Sequence, residues 1–261
     1  MSEASAPTAG LSVVYPMYNE AETAEELLAE TVEFLSARFP DYEIVVVDDA
    51  ATDGTGAIVD RIAAKNPRIR VIHHDRNRKL GGALKTGLRA ATKPLVLYSD
   101  ADFPFDLLDV NRAVRAVRRA DIVSAYRHDR HSEGWLRTFQ SYVYNLLVTV
   151  VFGLHLRDVN FAFKLFRLEA LRKLDLKSEG SFIDAEILIR ALRLGMRVTQ
   201  IGVDYFPRTR GLSTLSGPVV VFRMFGEMAR LFPELWRLKR RGRAVEPAAS
   251  AAQPAPGRQP R

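Results

Sequence analysis

From residue 11 to about residue 125, short apolar runs alternate with longer stretches in which hydrophobic residues recur every three or four positions. The short runs read as buried strands: Leu11–Tyr15, Glu43–Val47, Arg70–His73, Leu95–Tyr98 and Ile122–Ala125. Between them, Ala24–Arg38 sets Leu27, Leu28, Val32 and Leu35 on one helical face, and Thr55–Ala64, Ala83–Ala91 and Asp106–Arg118 continue the alternation. This rhythm predicts right-handed crossovers and an α/β domain with a mostly parallel central sheet flanked by helices. In such sheets, ligands bind beyond the carboxyl ends of the strands.

The second half has a different texture. Trp135–Val151 is long and apolar, but Gln140, Ser141 and Asn145 interrupt it, which predicts an interfacial or core helix and not a spanning one. Phe161–Phe166 reads as a strand, Phe182–Leu194 as a helix and Val198–Tyr205 as a further strand. Pro218–Leu238 is apolar on one side through Met224, Phe225, Leu231, Phe232 and Trp236, a pattern that suits core packing and a lipid surface equally. The expected divisions are a loose leader over 1–10, one domain over 11–217, an amphipathic basic helix over 218–243 and a disordered tail over 244–261.

A chain of 261 residues with 47% hydrophobic content can bury a full core. It has no cysteine, which excludes disulfides, thiolate metal sites and cysteine nucleophiles and fits a reducing compartment. The opening MSEASAPTAG lacks the features of a signal peptide, and no window offers about 18 consecutive apolar residues. The expected location is therefore the cytoplasm or its membrane face. Net charge is +7, with Arg237, Lys239, Arg240, Arg241 and Arg243 clustered late, which suits a peripheral contact with an anionic membrane or a solvated helix end. No nucleic acid is expected as a partner. Aromatic residues are not interleaved with those cations, and strand-end acids would repel phosphate unless a metal intervened.

The chemistry gathers where strands end. Pro16–Glu20 follows the first, Asp48-Asp49 the second and Asp100-Ala101-Asp102 the fourth, so one sheet edge collects acids for a base, a ribose and a metal. Two carboxylates on an apolar strand are hard oxygen ligands suited to Mg²⁺ or Mn²⁺ with open positions for phosphate. No G-x-G-x-x-G follows the first strand and no P-loop is present. Gly81-Gly82 after Lys79 forms either a simple turn or a set of amides and a cation for phosphate. Asp184 and Glu186 open a helix, where acids are favoured electrostatically and where a base could face an acceptor. Arg208 and Arg210 suit a diphosphate, and Arg137 and Ser141 share one helical face. The pair His73-His74 reads as a strand end and not as metal ligands.

Taken in order, these motifs resemble family 2 glycosyltransferases of the GT-A fold, most closely the dolichol-phosphate mannosyltransferases and related polyprenyl-phosphate glycosyltransferases. Pro16-Met17-Tyr18-Asn19-Glu20 is similar to P-x-Y-N-E, Val47-Asp48-Asp49 with Asp53-Gly54-Thr55 to the nucleoside-holding segment, and Asp100-Ala101-Asp102 to the metal motif. Arg127, the DVNFAFKLFR segment at 158–167, Gly180 to Arg190, and Arg208-x-x-Gly211-x-Ser213 fit further family positions. The resemblance implies inverting transfer from a GDP- or UDP-linked sugar to an acceptor, foremost a polyprenyl phosphate, with Mg²⁺ or Mn²⁺. It implies donor contacts from Pro16, Tyr18, Glu20, Val47, Asp49, Lys79, Asp100, Ala101, Asp102, Arg127 and Arg208, and acceptor contacts from Arg137, Ser141 and Ser213. Asp102 would be catalytic through the metal held with Asp100, and Asp184 or Glu186 would serve as base for a hydroxyl acceptor. Departures from the family are Ala50-Ala51 for Gly-Ser, Phe103–Asp106 after the metal motif and Thr214 for a lysine. Two other readings stand beside this one. A soluble hydroxyl acceptor would need a base, and a nucleotidyltransferase would want a basic Gly-rich loop where Pro16–Glu20 is acidic.

Overall fold

The computed structural model describes residues 9–101, 105–127, 135–204 and 218–238, with 135–143 and 218–222 described by their backbone. Seven strands form one sheet in the order β3-β2-β1-β4-β6-β5-β7. These are β1 (Leu11–Met17), β2 (Tyr42–Asp48), β3 (Ile69–His73), β4 (Leu95–Ser99), β5 (Ile122–Arg127), β6 (Phe163–Arg167) and β7 (Val198–Val203). All neighbours are parallel except β6, which runs against both β4 and β5. The predicted strands are present, each within about two residues of its expected limits. The reversed β6 is the feature that the strand-helix rhythm did not predict.

Side chains alternate across the sheet with period two. Val14, Val45, Val47, Val96 and Tyr98 face a cluster built by α3 (Lys79–Ala90), α5 (Trp135–Phe152), α7 (Ile183–Arg193) and α8 (Pro218–Arg237). Val13, Tyr15, Ile44, Val46 and Leu97 face α1 (Ala24–Arg38), α2 (Thr55–Ala63) and α4 (Leu108–Ala116). A four-residue turn, α6 (Leu168–Leu171), follows β6. Both faces are thus covered, as a parallel sheet requires.

The apolar side of α8 packs inward. Met224, Leu231 and Leu235 are buried in the cluster of α3, α5 and α7, and Phe232 lies 5.9 Å from Phe152 of α5. Core packing therefore accounts for the stripe that was equally compatible with lipid. At its far end Trp236 stacks on Phe232 yet stays 56% exposed. Among the described residues, no helix is long and apolar enough to cross a membrane.

Candidate active site

The loops after β1 and β2 are stitched to each other. Asn19 takes a left-handed φ of 57° and its side-chain oxygen accepts from the Thr52 amide, while Asp53 accepts from the amide of Ala21 and from both the amide and hydroxyl of Thr55. The Glu20 amide donates to Thr55 Oγ1, and the Asp49 amide to the Met17 carbonyl. Burial works against the charge on Asp53. The hydrogen bonds from Thr55 and Ala21 outweigh it and hold the carboxyl below its usual value. Tyr18 and Pro16 are half-buried at this edge. Ala50 also adopts a left-handed φ, 58°, at the position where the family has glycine, so this chain stores backbone strain beside the site.

Each acid at the end of β2 meets a histidine from the end of β3. Asp48 pairs with His73 at 2.8 Å, and His73 also reaches Asp60 at 2.9 Å. Asp48, then Asp60, raises the His73 pKa above its ordinary value. Asp49 meets His74 at 2.6 Å, with both side chains almost fully buried, and the other ring nitrogen lies 2.9 Å from Thr86 Oγ1. Neither partnership was predicted. The signal lay in the parallel register, which aligns Asp48 with His73.

Asp100 stands half-buried just past β4, where the Tyr98 hydroxyl donates to it at 3.4 Å. Its partner Asp102 lies outside the described residues, as do Arg208, Ser213, the run 239–243 and the side chains of Arg137 and Ser141. Among the described residues, no three His, Asp or Glu side chains converge as a metal cage. A strand-end carboxylate followed two positions later by another is nevertheless a fitting donor set. Hard cations at phosphate sites are commonly held by one or two carboxylates and the phosphates themselves.

Below Asp100 lies a sealed layer. Lys164 of β6 stands opposite Tyr98 in register, with its ammonium 5.8 Å from the Tyr98 ring, 2.9 Å from the Phe161 carbonyl and 2.5 Å from Asp184 Oδ1. Burial raises the Asp184 pKa, with Lys164 opposing and Asp158 adding to the rise. The Tyr144 hydroxyl is buried without a partner among the described residues.

Several expected contacts take other roles. Glu186 is fully buried: its carboxylate accepts from the amides of Lys177 and Ser178 and from Arg190 Nε, so it braces a loop and does not face an acceptor. Arg127 forks onto Asp158 through 2.7 and 2.9 Å bonds, which commits the guanidinium expected at the donor phosphate. Val47 is buried in the core and can serve only by fixing the strand, and Ala101 is likewise buried. The amides of Gly81 and Gly82 both donate to the Glu179 carbonyl, so they hold a loop and offer nothing to phosphate. Lys79 remains exposed at the start of α3, with a left-handed φ of 61°.

Three adjacent strand ends, of β2, β1 and β4, thus present Asp49, Tyr18 and Asp100 along one edge of the sheet. The glycosyl transferase family 2 profile matches residues 12–175. The chain belongs to glycosyl transferase family 2. Among its relatives within family 2, the glycosyltransferase AglD of Haloferax volcanii is 37% identical over 216 residues, a match covering 78% of this chain and 35% of that protein. The chain therefore spans about a third of the archaeal relative's length. The undecaprenyl-phosphate mannosyltransferase of Micrococcus luteus is 31% identical over 217 residues, covering 79% of this chain and 88% of that protein. The solved mannosyltransferase PcManGT of Pyrobaculum calidifontis, in complex with GDP-Man and Mn²⁺, superposes with a TM-score of 0.60 at 22% identity, over 89% of this chain and 70% of that one. The sheet order and this likeness show the GT-A fold of family 2 enzymes.

Proposed function

We propose that the protein is an inverting, metal-dependent glycosyltransferase that moves a hexosyl group from a nucleotide sugar to the phosphate of a polyprenyl phosphate. The observation that carries the acceptor class is the closure of both candidate bases, Asp184 against Lys164 and Glu186 against Arg190 and two amides. A hydroxyl acceptor needs a carboxylate to take its proton as the new bond forms. A phosphomonoester, whose second pKa is about 6, already offers an anionic oxygen near neutral pH. The name of the Micrococcus luteus relative points the same way.

In this reading the base lies toward Tyr18, Pro16 and Asp49, the sugar diphosphate toward Glu20 and Asp100, and Arg208 offsets phosphate charge. Asp100 and Asp102 would hold a divalent cation, which when bound neutralises charge on the departing diphosphate. Arg137, Ser141 and Ser213 orient the acceptor phosphate. Its oxygen attacks the anomeric carbon as the nucleoside diphosphate leaves from the opposite face, which inverts that centre. Trp236 beside Arg237 at the exposed end of α8 suits a peripheral contact with an anionic membrane.

The test is transfer from radiolabelled nucleotide sugars to a short-chain polyprenyl phosphate and, in parallel, to the matching polyprenol. Labelled sugar joined to the polyprenyl phosphate, with no transfer to the alcohol, is expected. Transfer to the alcohol alone would overturn the acceptor assignment.

A further inference from the structure

The carboxylate at the end of β2 is half closed. Asp49 Oδ1 accepts from His74 Nδ1 at 2.6 Å and from the Arg78 amide at 2.8 Å, which fills the two lone pairs of that oxygen. Oδ2 has no hydrogen bond to the described residues and, on a side chain 3% exposed, is not one of the sealed, partnerless polar atoms, so it is the oxygen left to accept from a ligand. His74 is itself fixed. Its ring is 4% exposed, and Nε2 rests 2.9 Å from Thr86 Oγ1 on α3. Because a carboxylate oxygen only accepts, the ring proton facing Asp49 sits on Nδ1.

We propose that this half-closed carboxylate makes the enzyme select a uracil nucleotide over a guanine nucleotide, with His74 as the positioning residue that sets the preference. The proposal rests on the nucleotide-sugar reading given above. Uracil presents one N–H, at N3, between two carbonyl oxygens, so it needs a single acceptor. A second open anionic oxygen beside it would face a carbonyl and repel it. Guanine presents N1–H and the N2 amino group side by side, and that pair matches both oxygens of an open carboxylate. With Oδ1 filled, one guanine donor enters the crevice without a partner from Asp49 and loses its hydration. Discrimination of this kind, by a donor left unpaired, is stronger than discrimination by shape.

Titration calorimetry with UDP and GDP at fixed Mn²⁺ tests it, since the diphosphate and the cation contribute equally to both and the ratio reports the base. The native protein is expected to bind UDP at least about tenfold more tightly than GDP. His74→Leu is expected to bring the ratio within about threefold by freeing one of the two accepting positions on Oδ1, the Arg78 amide keeping the other, whereas His74→Asn, whose side-chain amide can replace Nδ1–H, keeps the native ratio. A merely structural role for His74 would weaken both ligands alike and leave the ratio unchanged, which would overturn the assignment to His74. If His74→Leu does not fold, the native ratio decides. Equal or tighter binding of GDP by the native protein overturns the proposal and leaves the glycosyltransferase reading standing. Binding of neither diphosphate overturns that reading and this one with it.

Discussion

Lys164 and Asp184 meet at 2.5 Å inside the protein, with their side chains 0% and 3% exposed. The pair ties β6, the strand that runs against its neighbours, to the first turn of α7 directly beneath Asp100. Removing one partner strands the other charge in the core. Lys164→Met should lower the unfolding free energy by about 3–5 kcal/mol in urea titrations, and Lys164→Met with Asp184→Leu should recover most of it. A single variant as stable as the native protein would show that the pair is not what holds this layer.

Glu186 separates a structural carboxylate from a catalytic one. Glu186→Gln leaves Arg190 with only the half-exposed Glu234 as counter-charge and should cost about 2–4 kcal/mol of stability. Turnover per folded molecule, measured well below the melting temperature, should stay within a few-fold. A loss of kcat by orders of magnitude with unchanged stability would return Glu186 to the role of base.

The His73 triad fixes the sign of a pH effect. Asp48 and Asp60 raise the His73 pKa, so the folded state favours the charged ring. The stabilisation is then complete below the unfolded value of about 6.5 and is lost as pH rises through the raised folded value. The melting-temperature gap between the native protein and His73→Asn should be widest near pH 5.5 and shrink towards pH 9. A gap that widens with pH would contradict the pairing.

Asp100 carries the metal expectation among the described residues. Asp100→Ala should abolish the Mn²⁺-dependent part of nucleoside diphosphate binding and leave the metal-free part, while melting within a few degrees of the native protein. Mn²⁺ dependence that survives the substitution would remove Asp100 from the cation site.

Gly81 is a packing requirement. A Cβ there would lie 2.6 Å from the Ser178 carbonyl oxygen and 2.7 Å from the Glu179 carbonyl carbon, both backbone atoms. Gly81→Ala should therefore destabilise by about 1–3 kcal/mol or more and speed proteolysis at 177–180. Native stability in this variant would mean that the loop is free to withdraw.

Much of this was legible because apolar runs stop abruptly at charged residues: Val47 before Asp48-Asp49, and Ser99 before Asp100. Periodicity also placed α1 and α7 to within a residue at either end. Pairings across long stretches of chain were not legible. Arg127 finds Asp158 and His74 finds Asp49 only after the sheet is assembled, and no local pattern encodes such partners. The same reason hid the task of Gly81-Gly82, which the sequence left open between a simple turn and amides for phosphate and whose amides instead hold the Glu179 carbonyl. For α8, Glu227 and Glu234 were the missed clue: acids on the side of a helix that binds Gly180 and Arg190 indicate docking on protein.

The reversed β6 has a consequence for how the chain leaves the ribosome. β1 to β4 are contiguous in sequence and can pair as soon as residue 99 has emerged. The outer edge of β4, however, is completed only by Phe163–Arg167, after β5 and α5 have been made. For the seconds that this synthesis takes, the all-apolar Leu95–Tyr98 edge is open to any passing strand. Slowing synthesis between codons 100 and 160 should therefore raise aggregation through this edge, and faster elongation across the same stretch should lower it.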